Sequence, residues 1–455
     1  MKIIILGGNQ VGGALAEQLS KEGHDVTVVD IDANRLDELQ THLDIRTILG
    51  HAAHPVILRQ AGAENADMLI AVTKSDEVNI VACQIAYALY RTPKKIARIR
   101  APQYLTYQND LFSYENIPID VCISPEQLVT GFISRLIDYP GALQVIDFAE
   151  GKVRMVAIRP HPTGKVVGKT LAEINQFLTE GEIRIVAIYR NNKSIYLDGE
   201  TIIQLDDEIF FIAEKAHIDA TLEAFGRLAE PNQRIMIAGG GNIGYHLAQK
   251  LESVYQVKLL ERNVARADFI SSELSNTTVL CGDASDKTLL MDENIENMDV
   301  FCAITDDDEA NIMSCLQAKR LGAKQVMALI TRSAYVDLIE GSTIDVAISP
   351  QQVTIGSILR YLRQGDITDV YSLRRGAAEA IEVVAHGDER SSRVINRKIS
   401  EMPLPEGTNI GAIVRGDDVI IAHHDTVLKA GDHVIVFVLD KKRVHDIEHL
   451  FRSSF

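Results

Sequence analysis

MKIIILGGNQVGGALAEQL at residues 1–19 and RIMIAGGGNIGYHLAQKL at residues 234–251 share one pattern: a short aliphatic run, a glycine-rich turn, then residues spaced for an amphipathic helix. In the second stretch Gly239, Gly241 and Gly244 complete G-x-G-x-x-G, with Gly240, Asn242 and Ile243 between them. The first glycine of such a turn permits the bend, the second lets backbone approach a pyrophosphate, and the third lets helix and strand pack; the helix N-terminus then offers unpaired N–H groups. Glu261 closes the next strand, where an acid suits a ribose diol and repels a 2′-phosphate, favouring NAD over NADP. In the first stretch Gly7 and Gly12 hold the outer positions, Gly8, Gln10 and Val11 lie between them, and Asp30 supplies the acid. Asn9 replaces the middle glycine, and shifting the register to Gly8 puts Gln10 there instead. Because Asn tolerates positive φ, the turn is expected to survive, with the Asn9 Cβ and amide projecting where phosphates approach. The expected change is in affinity or pose rather than in fold.

The likeness extends well beyond the turns. Residues 2–135 recur near 234–360: VTVVD (26–30) meets VKLLE (257–261), residues 50–79 meet 282–311, and DVCISPEQLVTG (120–131) meets DVAISPQQVTIG (345–356). Within each copy, strands expected at 3–6, 26–30 and 68–72 alternate with helices beginning near Gly12 and Ala33, which predicts a Rossmann-like, doubly wound parallel sheet. The intervening segments also match, VVGKTLAEI (166–174) with VINRKISEM (394–402), and read as small α+β units rich in hairpins. Tyr189-Arg190-Asn191-Asn192 and Val414-Arg415-Gly416-Asp417 supply their turns. Four domains follow, at 1–124, 142–227, 232–349 and 369–453, with links near Pro140-Gly141, Pro231 and Gly365.

Composition narrows the function. The 455 residues are 46% hydrophobic and 24% charged, as in a globular protein, and the net charge of −17 disfavours nucleic acid as a partner. A strand-like start without a basic leader, and no apolar run near 18 residues, predict a soluble chain that is neither exported nor inserted in a membrane. Cys83, Cys122, Cys281, Cys302 and Cys315 form no C-x-x-C pair and read as small buried hydrophobes in a reducing cytosol.

Further residues fall near the carboxyl edge of each expected sheet. Gly50 and His51 after strand three match Gly282 and Asp283; Thr73-Lys74 after strand four match Thr305-Asp306. After strand five the first copy carries Arg98 and Arg100 where the second has Leu329 and Thr331. Two cations at period two suit extra phosphate charge, or else interdomain salt bridges. Other signals are set aside. GKVVGKT at 164–170 lacks P-loop spacing and reads as a turn entering a helix. His51 with His54, and His423-His424-Asp425, do not make a metal site, and no metal is expected. Asp306 to Glu309 read as ordinary partners of a helix N-terminus, and Lys441-Lys442-Arg443 as a solvated face. No nucleophile elbow or H-E-x-x-H accompanies the turns, so no catalytic residue is assigned. A dehydrogenase using both turns is the competing class, and needs an acid or base beside the nicotinamide.

The stretches at 1–19, IARIRAPQYL (96–105) and CISPEQLVT (122–130), in a tandem N–C–N–C order covering essentially the whole chain, resemble the TrkA family, whose half-repeats are similar to RCK (KTN) domains. The resemblance implies a non-enzymatic regulatory subunit of bacterial potassium uptake. It implies a homotetrameric ring at the inner face of the cell membrane, peripheral to a membrane-embedded TrkH- or TrkG-type partner, that changes shape on binding NAD/NADH and ATP/ADP. A regulator of a different potassium channel or antiporter is the third reading. The binding positions implied are Gly7 to Val11, Asp30, Thr73, Lys74 and Arg98 in the first site, and Gly239 to Ile243, Glu261 and Thr305 in the second.

Overall fold

A computed structural model describes residues 1–178, 181–191, 193–226, 232–339, 343–362, 367–373, 378–440 and 443–452, without the side chains of residues 333, 337 and 338. Pro231, Gly365, Asn192 and the Lys441-Lys442 pair lie outside the described residues. The chain forms two compact units. One comprises Met1–Val129 with Pro350–Ile358; the other comprises Thr130–Ser349 with Leu359–Phe455.

In the first unit, β1 (Lys2–Leu6), α1 (Gln10–Lys21), β2 (Asp25–Asp30), α2 (Ala33–His42), β3 (Arg46–Leu49), α3 (Pro55–Gln60), β4 (Met68–Ala71), α4 (Asp76–Tyr90), β5 (Lys94–Arg98) and β6 (Val121–Ile123) build a parallel sheet ordered β3-β2-β1-β4-β5-β6. Helix α1 begins at Gln10, two residues earlier than periodicity predicts, because Asn9 caps it. Strand β1, buried from Ile3 to Leu6, lies between β2 and β4 and reads as a continuous aliphatic run because both sheet faces are covered. The sheet order reverses beside β1, so the turn after it opens at the switch point where such sheets bind ligands.

Among the described residues the second unit contains three sheets. Two small antiparallel ones come from β7 (Ala142–Phe148), β8 (Val153–Ile158), β9 (Ile183–Arg190), β10 (Lys193–Ser194) and β11 (Glu208–Glu214), and from the later strands β18 (Ile367–Leu373), β19 (Ala378–Val384), β20 (Thr408–Arg415), β21 (Asp418–Ile421) and β22 (His433–Val438). They share one core, in which Met155, Phe210 and Ile212 meet Ala380, Ala412 and Phe437. Gly411 permits the approach, since a Cβ there would lie 2.9 Å from Ile212. Residues 164–170 lead into a 3₁₀ turn at Leu171–Phe177 whose capping box joins Thr170 and Glu173. Between these sheets in sequence, β12 (Arg234–Ala238), β13 (Gln256–Glu261), β14 (Thr278–Cys281), β15 (Val300–Ala303), β16 (Gln325–Leu329) and β17 (Val346–Ile348) repeat the parallel order as β14-β13-β12-β15-β16-β17. The two doubly wound sheets, each followed by a small α+β domain, are as expected. Three cysteines are buried, but Cys122 is half-buried and Cys281 is exposed at the end of β14, the edge strand of its sheet.

Candidate functional site

Each turn is held by the same three devices. Gly7 and Gly239 take φ of +104° and +113°, and their N–H groups continue the ladder to Val29 and Leu260. Gly12 and Gly244 bring helix onto turn so closely that a Cβ would sit 1.8 and 1.9 Å from the carbonyl oxygens of Gly7 and Gly239. The terminal acids tie the turn to the next strand: Gly8 N–H donates to Asp30 Oδ2 at 2.6 Å, and Gly240 N–H to Glu261 Oε2 at 2.8 Å. Asp30 also accepts from Asp32 N–H, and Glu261 from Asn263 N–H.

The middle position is where the turns part. Asn9 has φ −67° and ψ −177°, nearly the −64° and −171° of Gly241, so the position makes no demand for positive φ. Its amide does not project freely. Oδ1 accepts from the N–H groups of Val11 and Gly12 at 3.0 and 3.3 Å, while Nδ2 donates to the Val72 carbonyl at 2.6 Å. Gly241 provides no side-chain cap, and a Cβ there would meet nothing within 4 Å. The first-turn N–H groups that a phosphate would use are therefore self-capped in one turn and uncapped by any side chain in the other.

Thr73 and Thr305 follow β4 and β15 and are bolted by residues that the sequence reading did not single out. Asn79, fully buried, accepts from both Thr73 N–H (3.0 Å) and Thr73 Oγ1 (2.7 Å) and donates to the Arg98 carbonyl (2.8 Å). Asn311 repeats this with Thr305 and the Leu329 carbonyl. The available signal was an Asn at matching places in SDEVN and DDEAN. Asp76 and Asp308, also buried, accept backbone N–H groups of Arg100 and Ala101, and of Thr331 and Arg332. Asp308 is thus a loop anchor, whereas Asp307 caps its helix through Ala310 N–H.

Arg98 and Arg100 do not act as a matched pair. Arg98 is 8% exposed; its Nη2 donates to the Thr73 carbonyl at 2.6 Å, and its Nε is buried without a partner. Burial, then the Arg100 cation, lowers its pKa. Arg100 is half exposed and pairs with Glu126 at 2.8 Å, inside its own unit. Lys74 is exposed, as are His51 and Asp283. The His51 ring lies 4.8 Å from that of His54, and Asp283 accepts from Ser285, whose hydroxyl holds the carboxyl below its usual range. Among the described residues no three His, Cys, Asp or Glu side chains form a metal-ligating group.

The TrkA-N domain model matches residues 3–125 and 235–350, and the TrkA-C domain model matches 155–226 and 389–451. The chain is 56% identical to the Trk system potassium uptake protein TrkA of Halomonas elongata over 452 residues, covering 99% of each. It is 50% identical to the protein of the same name from Haemophilus influenzae over 454 residues, covering 100% of this chain and 99% of that one. Among solved structures it is similar to the GsuK RCK domain (TM-score 0.61, 19% identity, 99% of this chain and 95% of that one). It is also similar to the GsuK channel bound to NAD (TM-score 0.61, 18% identity, 99% and 78%). At those identities the structural likeness speaks for the fold alone.

Proposed function

The chain belongs to the TrkA family, and from that premise we propose that it is the non-enzymatic, nucleotide-sensing regulatory subunit of a potassium uptake system. The observation that carries the reading is the pair of glycine turns, alike in backbone and unlike in the capping of their first-turn N–H groups. Two such turns fit two ligand affinities. Support for binding rather than turnover comes from the carboxylates around the turns. Asp30, Glu261, Asp76 and Asp308 each accept backbone N–H bonds as anchors, so their oxygens are committed to holding the turns and loops in place.

In this reading NAD/NADH occupies the turn at Gly239 to Ile243, with Glu261 on the ribose and Thr305 and Asp283 at the rim. Adenine nucleotides, ATP/ADP included, occupy the turn at Gly7 to Val11, with Asp30, His51, Thr73, Lys74, Arg98 and Arg100 around it. The partnerless Nε of Arg98 suits a terminal phosphate, and Arg100 joins it by releasing Glu126. Four copies of the chain form a homotetrameric ring, peripheral on the cytoplasmic face of the inner membrane through a TrkH- or TrkG-type channel subunit. The link near Pro140-Gly141 acts as a hinge. A nucleotide shifts the ring only by its differential affinity for two shapes, and coupling of about 1–3 kcal/mol changes the equilibrium roughly 5- to 150-fold.

Calorimetric titration of NAD, NADH, ATP and ADP, alongside potassium uptake in cells lacking the chain, tests this. Gly241→Asp is expected to abolish NAD binding at the second turn, and the Arg98→Gln, Arg100→Gln double variant to lose ATP-to-ADP discrimination. NAD binding that persists at the second turn in the first variant, or unchanged discrimination in the second variant, refutes the assignment concerned.

A further inference from the structure

The acids closing the second strands are equivalent in sequence and unequal in their surroundings. Asp30 is 8% exposed, and its Oδ2 takes both Gly8 N–H at 2.6 Å and Arg35 Nη1 at 3.3 Å, while Oδ1 takes Asp32 N–H at 2.9 Å. A carboxylate has about four lone-pair sites. One remains, on Oδ1. Arg35 also lies 3.5 Å from Asp32, so a guanidinium stands over the acid that would exclude a 2′-phosphate.

At the second turn Glu261 takes one N–H on each oxygen, from Gly240 and Asn263, leaving one site free on each. That is the arrangement a ribose diol requires, with two hydroxyl donors meeting two acceptor oxygens. Arg266, the counterpart of Arg35, is directed elsewhere. Its Nε donates to the Gly240 carbonyl at 2.8 Å, and its guanidinium sits over the rings of Phe269 and Tyr245 at 5.1 and 5.7 Å. Among the described ion pairs Glu261 has no cationic partner.

We propose that Arg35 makes the first site tolerant of a ribose 2′-phosphate, so that it accepts phosphorylated and unphosphorylated dinucleotides alike, while Glu261 restricts the second site to the free diol. This rests on the nucleotide-binding reading above. The cation at Arg35 cancels the repulsion that Asp30 would exert and offers two N–H donors to a phosphate. The second site keeps an uncompensated anion against the same group.

The test is titration of NAD and NADP into the full chain, into Gly241→Asp to isolate the first site, and into Arg35→Gln, Arg35→Lys and Arg266→Gln. The second site is expected to prefer NAD over NADP by more than about 10-fold, and the first site to distinguish them by less than about 3-fold. Arg35→Gln restores a preference of about 10-fold at the first site, Arg35→Lys does not, and Arg266→Gln leaves the second site's preference unchanged. Equal discrimination at both sites, or an Arg35→Gln ratio like the parent's, overturns the inference while leaving nucleotide binding intact. Failure of either dinucleotide to bind anywhere overturns the underlying reading as well.

Discussion

Exchanging the middle residues of the two turns isolates what Asn9 does. In the parent chain a phosphate arriving at the first turn must displace Asn9 Oδ1 from the N–H groups of Val11 and Gly12, bonds of 3.0 and 3.3 Å. Neutral bonds of this kind contribute about 0.5–1.5 kcal/mol each, and the longer one falls at the low end. Asn9→Gly removes that competition, so NAD affinity at the first turn rises by about 1–2 kcal/mol, roughly 5- to 30-fold. The fold gives up something in return. Asn to Gly at an N-cap costs a few tenths of a kcal/mol, and losing the bond to the Val72 carbonyl adds about 1 kcal/mol, so the first unit is destabilised by about 1–2 kcal/mol. Gly241→Asn runs the other way. The backbone at φ −64° accepts any residue, and a Cβ there meets open space, so the helix gains a few tenths of a kcal/mol while NAD binds roughly 5- to 30-fold more weakly. Two-site calorimetric titration of the parent, the single variants and the double exchange, with denaturant unfolding in parallel, reads both quantities. Equal or weaker binding at the first turn in Asn9→Gly refutes the argument and makes Asn9 a ligand contact.

Three further outcomes follow from buried geometry. Asn79→Ala leaves Thr73 N–H and the Arg98 carbonyl without their side-chain partner, and destabilises the first unit by about 2–4 kcal/mol in denaturant unfolding; a loss below 1 kcal/mol means that water replaces the amide. Gly12→Ala brings a Cβ to within 1.8 Å of the Gly7 oxygen and is expected to abolish folding of the first turn, by circular dichroism and hydrogen exchange, whereas Gly241→Ala leaves the fold unchanged. At Asp299 burial acts to raise the pKa, but Lys324 and the N–H groups of Gln233 and Arg234 outweigh it and the net shift is downward. Its contribution to stability is therefore complete above the ordinary aspartate range and is lost as pH falls through the lower folded value. Asp299→Asn should flatten that part of the acid limb in a stability-against-pH titration.

Much of the site was legible because its determinants are local. A strand, a turn of fixed glycine spacing, a helix and a distal acid are set by residues within about thirty positions, and the second copy served as an internal control for the first. What escaped reading was pairing across the fold. Asn79 and Asn311 match each other in the repeat and announce no role of their own, yet each joins the ends of two strands. Arg98 and Arg100 share a spacing but not an environment, since one is buried against the Thr73 carbonyl and the other meets Glu126 across 26 residues. Asp308 stood in an acidic run and proved to be the anchor of the loop after β16.

The duplication, the order of strand and helix, and the presence of two glycine turns were determined by sequence alone, because hydrophobic period and permitted φ are properties of short segments. The direction of the Asn9 amide, the Arg35 guanidinium over Asp30 and the shared core of the antiparallel sheets were decided only by tertiary structure. Hydrogen-bond capacity and apolar surface do not specify their partners. A side chain takes the partner that the packed chain brings within reach, and for Asn9 that partner lies 63 residues away, at the carbonyl of Val72.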